Sequence, residues 1–319
     1  MTTTPLLTAA LAALATVIAA PAAVRAEPAP LVISDVPIRA DRVLILAAHA
    51  RGPKVIAVGE RGTVLVSTND GADWKSLRSQ KTTRTLTSVV ALDEKVWIGA
   101  GHGGAMLRSG DGGRTARMIE TDAGSDSFLG LTVLGPTTLL AYGAFGLMLR
   151  SEDAGLTWKR QAVLDEEFDR HINRVIVGKD MLLLVGESGT LARSTDGGLS
   201  WRRLPSPYEG SFFGAAFTPE GAILVFGMRG NIYRSADRGS SWTRIELATR
   251  RPVFGATTLR DGRIAITGGQ GLLAISADDG RSFRVQHAIA GSIAGAFERS
   301  DGELVLYGEH GVYALRPGT

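Results

Sequence analysis

Six side chains of one chemical kind recur along this chain, Asn69, Asp111, Asp153, Asp196, Asp237 and Asp278, at a spacing of about 42 residues. Carboxylates could hold a metal or act as acid and base. Sites spread evenly around a repeat cannot converge on one atom, so neither metal binding nor catalysis is expected of them. The second recurring group is arginine. Arg42, Arg84, Arg170 and Arg251 stand at four of seven equivalent link positions, each four residues before Leu46, Ser88, Gly130, Arg174, Gly214, Gly255 or Gly295. Arg61 and Arg229 sit in a recurring turn, with His102 and His310 at neighbouring places. A planar guanidinium fork takes carboxylates or carbonyls bidentately and stays charged. These six arginines therefore read as a basic ring that binds a partner. The competing reading is solvated loop cations, some paired with Asp41, Glu60 or the run Asp165-Glu166-Glu167.

The acids lie in an eight-residue frame, Ser-x-Asp-x-Gly-x-Thr-Trp, seen at Ser151–Trp158. It recurs at Ser67–Trp74, Ser109–Ala116, Ser194–Trp201, Ser235–Trp242 and Ser276–Phe283. Apolar triplets such as Leu147-Met148-Leu149 precede it and a second strand pattern follows, so the frame is a hairpin turn. Its Asp or Asn can accept backbone N–H bonds within the turn. Its Gly tolerates positive φ. Its last residue, Trp74, Trp158, Trp201, Trp242 or Phe283, carries an aromatic ring into the core. Ala116 departs from this, so the second repeat is expected to have the weaker hairpin, which an added aromatic would stabilise if its pocket is open. An arginine precedes the frame's Ser at Arg108, Arg150, Arg193 and Arg234 and reads as structural, its stem covering the strand edge. Trp97 is expected to pack between repeats.

Upstream of each frame stands Gly-x-x-Gly, in seven copies from Gly59–Gly62 to Gly308–Gly311. Each unit reads strand, turn, strand, Gly-x-x-Gly turn, strand, frame, strand. The fold class is all-β, a seven-bladed β-propeller of four-stranded blades. The last unit stops before its fourth strand, and residues 31–38 look like a strand without a repeat of their own. They are expected to pair with Gly311–Leu315 and close the ring. This order puts the Gly-x-x-Gly turns and the inter-blade links on one face and the Asp frames on the other. Gly and Ser at the inner-strand positions, Ser88, Gly130, Gly214, Gly255 and Gly295, are expected to leave the channel mouth open for a peptide.

Residues 1–26 read as a signal peptide, apolar from Leu6 to Ala20 and ending at Val24-Arg25-Ala26, although Met1 to Thr4 lack the usual basic residue. A single propeller domain is expected over 27–319, exported and periplasmic. There is no Cys, which excludes disulfides, thiolate metal sites and a Cys nucleophile. Without Arg25 the chain holds 34 basic residues against 32 acidic ones, too even a balance to imply nucleic acid. A monomer with no cofactor is expected.

At the frame the chain resembles the Asp-box (BNR-like) propellers. The frame spacing, turns of the type Gly-Glu-Arg-Gly (Gly59–Gly62), and the lack of inserted loops make it similar to the photosystem II stability and assembly factor family, non-photosynthetic bacterial relatives included. That resemblance implies a non-catalytic propeller that holds or helps assemble a membrane protein or its exposed segment, with export systems among the complexes served. Asp-box propellers also include sialidase-like glycosidases. That alternative needs paired carboxylates, or an Arg cluster with a Tyr nucleophile. Tyr142, Tyr233, Tyr307 and Tyr313 fall within strands and Tyr208 in a link, which disfavours it.

Overall fold

The computed structural model describes residues 31–37, 39–78, 83–165, 167–287 and 291–315, so the expected leader lies outside the described residues. Strand β1 (Leu31–Pro37) comes first. Blade one is β2 (Ile45–Arg51), β3 (Lys54–Gly59), β4 (Val64–Ser67) and β5 (Lys75–Arg78). Blade two is β6 (Leu86–Ala91), β7 (Trp97–Gly101), β8 (Met106–Ser109) and β9 (Thr115–Met118). Blade three is β10 (Phe128–Val133), β11 (Leu139–Gly143), β12 (Met148–Ser151) and β13 (Lys159–Arg160). Blade four is β14 (Ile172–Val177), β15 (Leu182–Gly186), β16 (Leu191–Ser194) and β17 (Arg202–Arg203). Blade five is β18 (Phe212–Phe217), β19 (Ile223–Gly227), β20 (Ile232–Ser235) and β21 (Thr243–Ile245). Blade six is β22 (Val253–Thr258), β23 (Ile264–Gly268), β24 (Leu272–Ser276) and β25 (Arg284–His287). Blade seven has three strands among the described residues, β26 (Ile293–Glu298), β27 (Leu304–Gly308) and β28 (Gly311–Leu315). The protein is a seven-bladed, all-β propeller.

Each blade is an antiparallel meander from the channel outward. The second strand of most blades is buried along its length, as in Leu139–Gly143, because a blade packs on neighbours through both faces. The core therefore lies between blades. One cluster joins Ile98 of blade two to Leu139, Leu149 and Trp158 of blade three. Another joins Ile45, Val55 and Leu65 of blade one to Phe297, Val305 and Val312 of blade seven, and closes the ring.

The expected closure by residues 31–38 is not what the structure shows. β1 pairs antiparallel with β5 of blade one, Ile33 opposite Leu77, and also with β9 of blade two, Leu31 opposite Ala116. It bridges the outer edges of two adjacent blades and so pairs both of its own edges. Side-chain packing between blades one and seven joins the ends of the ring without a shared strand.

Blade two also departs from expectation, and Trp97 is the reason. In blades one, three, four and five the frame's Trp lies against the frame's own Gly: a Cβ added at Gly71, Gly155, Gly198 or Gly239 would stand 3.5–3.7 Å from that ring. In blade two it is the Trp97 ring that lies against the corresponding Gly113: a Cβ added there would stand 3.0 Å from Nε1. Trp97 comes from β7 and is 1 % exposed, packed between blades one and two as expected, and Ala116 is equally buried. A tryptophan from a different strand thus fills the space that Ala116 leaves. The pocket is closed, and Ala116→Trp is expected to destabilise by about 1–3 kcal/mol through overpacking, measured by urea unfolding.

Candidate functional site

The face that carries the expected site is built by one repeated hydrogen bond. The second residue of each Gly-x-x-Gly turn donates its N–H to the link carbonyl just before the inner strand. The seven pairs are Glu60 to Leu44, His102 to Thr85, Ala144 to Ser127, Glu187 to His171, Met228 to Ser211, Gly269 to Pro252 and Glu309 to Ser292, at 2.9–3.2 Å. The first Gly of the turn is required because a Cβ on Gly59, Gly101 or Gly186 would collide with that same carbonyl. Links and turns therefore share one face, as the sequence suggested.

These bonds also fix the register. Ala47 opposes Val58 as Ser88 opposes Ala100 and Gly130 opposes Tyr142. The position equivalent to Ser88 in blade one is Ala47, not Leu46, so the link position equivalent to Arg84 is Val43, not Arg42. Three of seven equivalent positions carry Arg: Arg84, Arg170 and Arg251. The inner strand of blade one begins with four apolar residues (Ile45-Leu46-Ala47-Ala48) and lacks the Gly or Ser that marks this position in most other blades, which hid the shift. Arg42 ends the 3-10 turn Ala40–Arg42 beside β28 and is exposed on the same face.

The six arginines lie in the links and turns of this face. The Arg84 guanidinium donates to the carbonyl of Gly103, over the turn of blade two. The Arg170 carbonyl accepts the Gly146 N–H at 3.0 Å, and its guanidinium lies 3.6 Å from Asp169. The Arg251 N–H donates to the Thr249 hydroxyl, and its carbonyl stands over Gly230 in the turn that holds Arg229. Arg61 and Arg229 occupy left-handed backbone at φ 51° and 56° and are exposed. The carboxylates expected to neutralise these cations have other partners. Asp41 pairs with Arg39, Asp165 with Arg203, and Glu60 accepts the Leu44 N–H. Among the described residues Arg42, Arg61, Arg84, Arg229 and Arg251 share no ion pair.

Sequence reasoning missed two apolar members of this face. Phe145, 63 % exposed, stands at the place Arg61 and Arg229 hold in their turns, and Met228 precedes Arg229. The Phe145 ring meets His171 edge-on at 5.0 Å. The turn sequences Gly143-Ala144-Phe145-Gly146 and Gly227-Met228-Arg229-Gly230 held the signal, an apolar residue where the turn exposes it. The open mouth is corrected. A Cβ at Gly130, Gly214 or Gly295 would strike the ring of Tyr142, Phe226 or Tyr307 from the adjacent strand, so these glycines make room for core aromatics, not for a peptide.

The Asp frames occupy the opposite face and hold turns. Ser151 Oγ donates to Asp153 at 2.9 Å and accepts the Gly155 N–H at 2.9 Å, and Asp153 accepts the N–H and hydroxyl of Thr157. The same pattern surrounds Asp111, Asp196, Asp237 and Asp278, while Asn69 binds Ser67 and the Asp73 N–H. The hydroxyl and N–H of Ser241, then the Ser235 hydroxyl, hold the Asp237 carboxyl down at about 2. Among the described residues no group of three or more His, Asp or Glu side chains could hold a metal. The fourth frame residue is left-handed as well as the fifth, Ala154 at φ 60° and Gly155 at 80°, which turns its carbonyl toward the preceding blade. Arg108 donates to the Ala154 carbonyl at 2.8 Å, Arg150 to Gly197 at 2.9 Å, and Arg234 to Asp279 at 3.0 Å. These arginines are structural, as expected, but as guanidinium bridges from one blade to the next frame.

Fold and turns together define an Asp-box propeller with a basic face of links. Residues 125–245, which span blades three to five, match the family model described as photosynthesis system II assembly factor YCF48. No curated protein matches the chain. Among solved structures, "YCF48 bound to D1 peptide" is similar at 18% identity and TM-score 0.70, over 89% of this chain and 96% of that one. YCF48 from Cyanidioschyzon merolae is similar at 16% identity and TM-score 0.68, over 90% and 99%. A streptogramin B lyase is similar at 12% identity and TM-score 0.73, over 90% and 98%. At these identities the structural likeness speaks for the fold alone.

Proposed function

We propose that this chain is a non-catalytic, exported, periplasmic propeller that binds an exposed segment of a membrane protein and assists assembly of its complex. The observation that carries the reading is the placement of six arginines in the links and turns of one face, five of them without an ion pair among the described residues. Phe145 and Met228 supply apolar contact beside them. The segment is acidic or rich in free carbonyls, since guanidinium forks bind both. The match of residues 125–245 to the YCF48 family model supports an assembly role, and the similar structure of YCF48 bound to D1 peptide supports peptide binding by a propeller of this fold. The leader-like residues 1–26 support export. The tyrosines a sialidase-like mechanism would use are taken up by packing. Tyr142 is fully buried with its hydroxyl on the Thr132 hydroxyl, and Tyr208 meets Phe212 edge-on and stacks with Tyr233.

The test is a crosslinking pull-down from the native membrane fraction with Arg84, Arg170 and Arg251 all reversed to Glu. Partner recovery is expected to fall by about tenfold or more, and association of the native protein to slow as salt shortens a Debye length of about 8 Å. Reversal of the exposed Arg114, Lys159 and Arg202, which lie in a frame or outer strands, is the control. Undiminished recovery with a folded triple variant would reduce the arginines to solvated loop cations.

A further inference from the structure

Inside the channel lies a cavity of ≈ 310 Å³, walled by inner strands of blades four to seven and by Ala48 of blade one. The wall is made mainly of small and apolar residues, among them Gly214, Gly255, Gly295 and Phe254, with Thr257 and Tyr307 as polar members and Arg174 as its one charged residue. Register puts Arg174 where the other blades carry Ala47, Ser88 or Gly. Its cross-strand neighbour is Val185, so no aromatic ring covers it as Tyr142 covers Gly130.

No carboxylate lines the cavity, and Arg174 has no ion pair or hydrogen bond among the described residues. Tyr307 also lines the cavity and is half-buried; burial raises the pKa of its phenol, and the positive charge of Arg174 and a backbone hydrogen bond from Ala48 act against that rise. Thr267 is 1 % exposed and its Oγ1 has no hydrogen-bond partner. It stands behind Gly255, 3.0 Å from where a Cβ would lie. A half-buried, unpaired guanidinium is costly, and a matching anion relieves that cost.

We propose that this cavity binds a single carboxylate, held by the Arg174 guanidinium. One planar monoanion matches one guanidinium fork, whereas a phosphate would bring a second charge for which the wall has no cation. The carboxylate comes either from a small free acid or from the C-terminus of a chain entering the channel. The site does not depend on the arginines of the link face.

The probes are sodium acetate, sodium succinate, tetra-alanine and tetra-alanine amide, with sodium chloride at matched ionic strength as reference. Saturable shifts of the Gly214, Gly255 and Gly295 amide resonances are expected in the full protein. Response to acetate or succinate identifies a free acid as sufficient, and response only to tetra-alanine with its free carboxylate identifies a chain terminus. Arg174→Gln is expected to weaken binding by about tenfold or more, with Arg174→Lys retaining part of it. If no probe moves these glycines in the native protein, if amide and free acid bind alike, or if a folded Arg174→Gln binds as tightly, the proposal fails. Should Arg174→Gln not fold, the position of the shifts in the native protein decides.

Discussion

Trp158→Ala is expected to lower the unfolding free energy by about 3–5 kcal/mol, a large fraction of the usual stability of a domain. The ring closes the frame of blade three but lies in the core shared with blade two, among Ile98, Leu139 and Leu149, and is 8 % exposed. Its Nε1 donates to the Gly155 carbonyl at 3.3 Å. Removal opens a cavity at a seam between blades and leaves the hairpin without its anchor. Trp242 provides the internal comparison. It holds the same place in blade five but is only half-buried, with its Nε1 on the Pro205 carbonyl. Trp242→Ala should therefore cost clearly less, since less apolar area leaves water there. Denaturant titration of both variants measures the difference. A loss below about 1 kcal/mol for Trp158→Ala would mean that the frame is held by its hydrogen bonds and not by its ring.

Arg234→Ala is expected to cost up to a similar amount, about 3–5 kcal/mol, because it removes the close partner of a buried carboxylate and leaves only Arg281, 3.9 Å away, as a cation beside it. The Arg234 guanidinium lies 2.6 Å from Asp279 Oδ2, and the two side chains are only 12% and 6% exposed. Burial pushes the Asp279 carboxyl up. The Glu220 N–H, the Thr218 hydroxyl and Arg234 outweigh it, so the group sits below its ordinary 3.8. Without Arg234 that carboxyl rises. A group held low in the folded state contributes stability above its unfolded pKa and loses it as pH falls. The variant loses that contribution, so its deficit should be full at neutral pH and should narrow as pH falls to about 4 and below, where Asp279 takes a proton. Replacing both partners with apolar residues should recover much of the loss. Arg150 occupies the same place between blades three and four, but its carboxylate neighbour Glu152 is 74% exposed. Arg150→Ala should cost only about 1 kcal/mol. Equal deficits for the two variants would show that the carbonyl bridge, common to both, matters and the buried pair does not.

The sequence by itself determined the propeller, its blade count and the clasp at each frame. The reason is range. The hydrogen bonds that the Ser151, Asp153 and Thr157 side chains make within the frame join residues at most four apart, so the residue types in the frame are sufficient to specify the turn. The shared face of links and Gly-x-x-Gly turns was legible too, because strand order fixes which turns lie at the same end.

What only the tertiary structure decided depends on contacts between blades. The bridges from Arg108 to Ala154 and Arg150 to Gly197 span a whole repeat, and no local pattern records them. Trp97 fills the space of Ala116 because volume, not strand of origin, satisfies a packed seam. The glycines at 130, 214 and 295 looked like open space until the rings that cover them were in place. The apolar start of β2 hid a one-residue shift that moved Arg42 out of the equivalent link position, and only pairing with β3 fixed it. β1 carries a strand pattern that fits more than one edge, and the sequence suggested blade seven where the structure places it between blades one and two. Arg174 was counted in the sequence only as a register marker. Its character as the one charged residue lining the cavity emerged when four other blades closed around it.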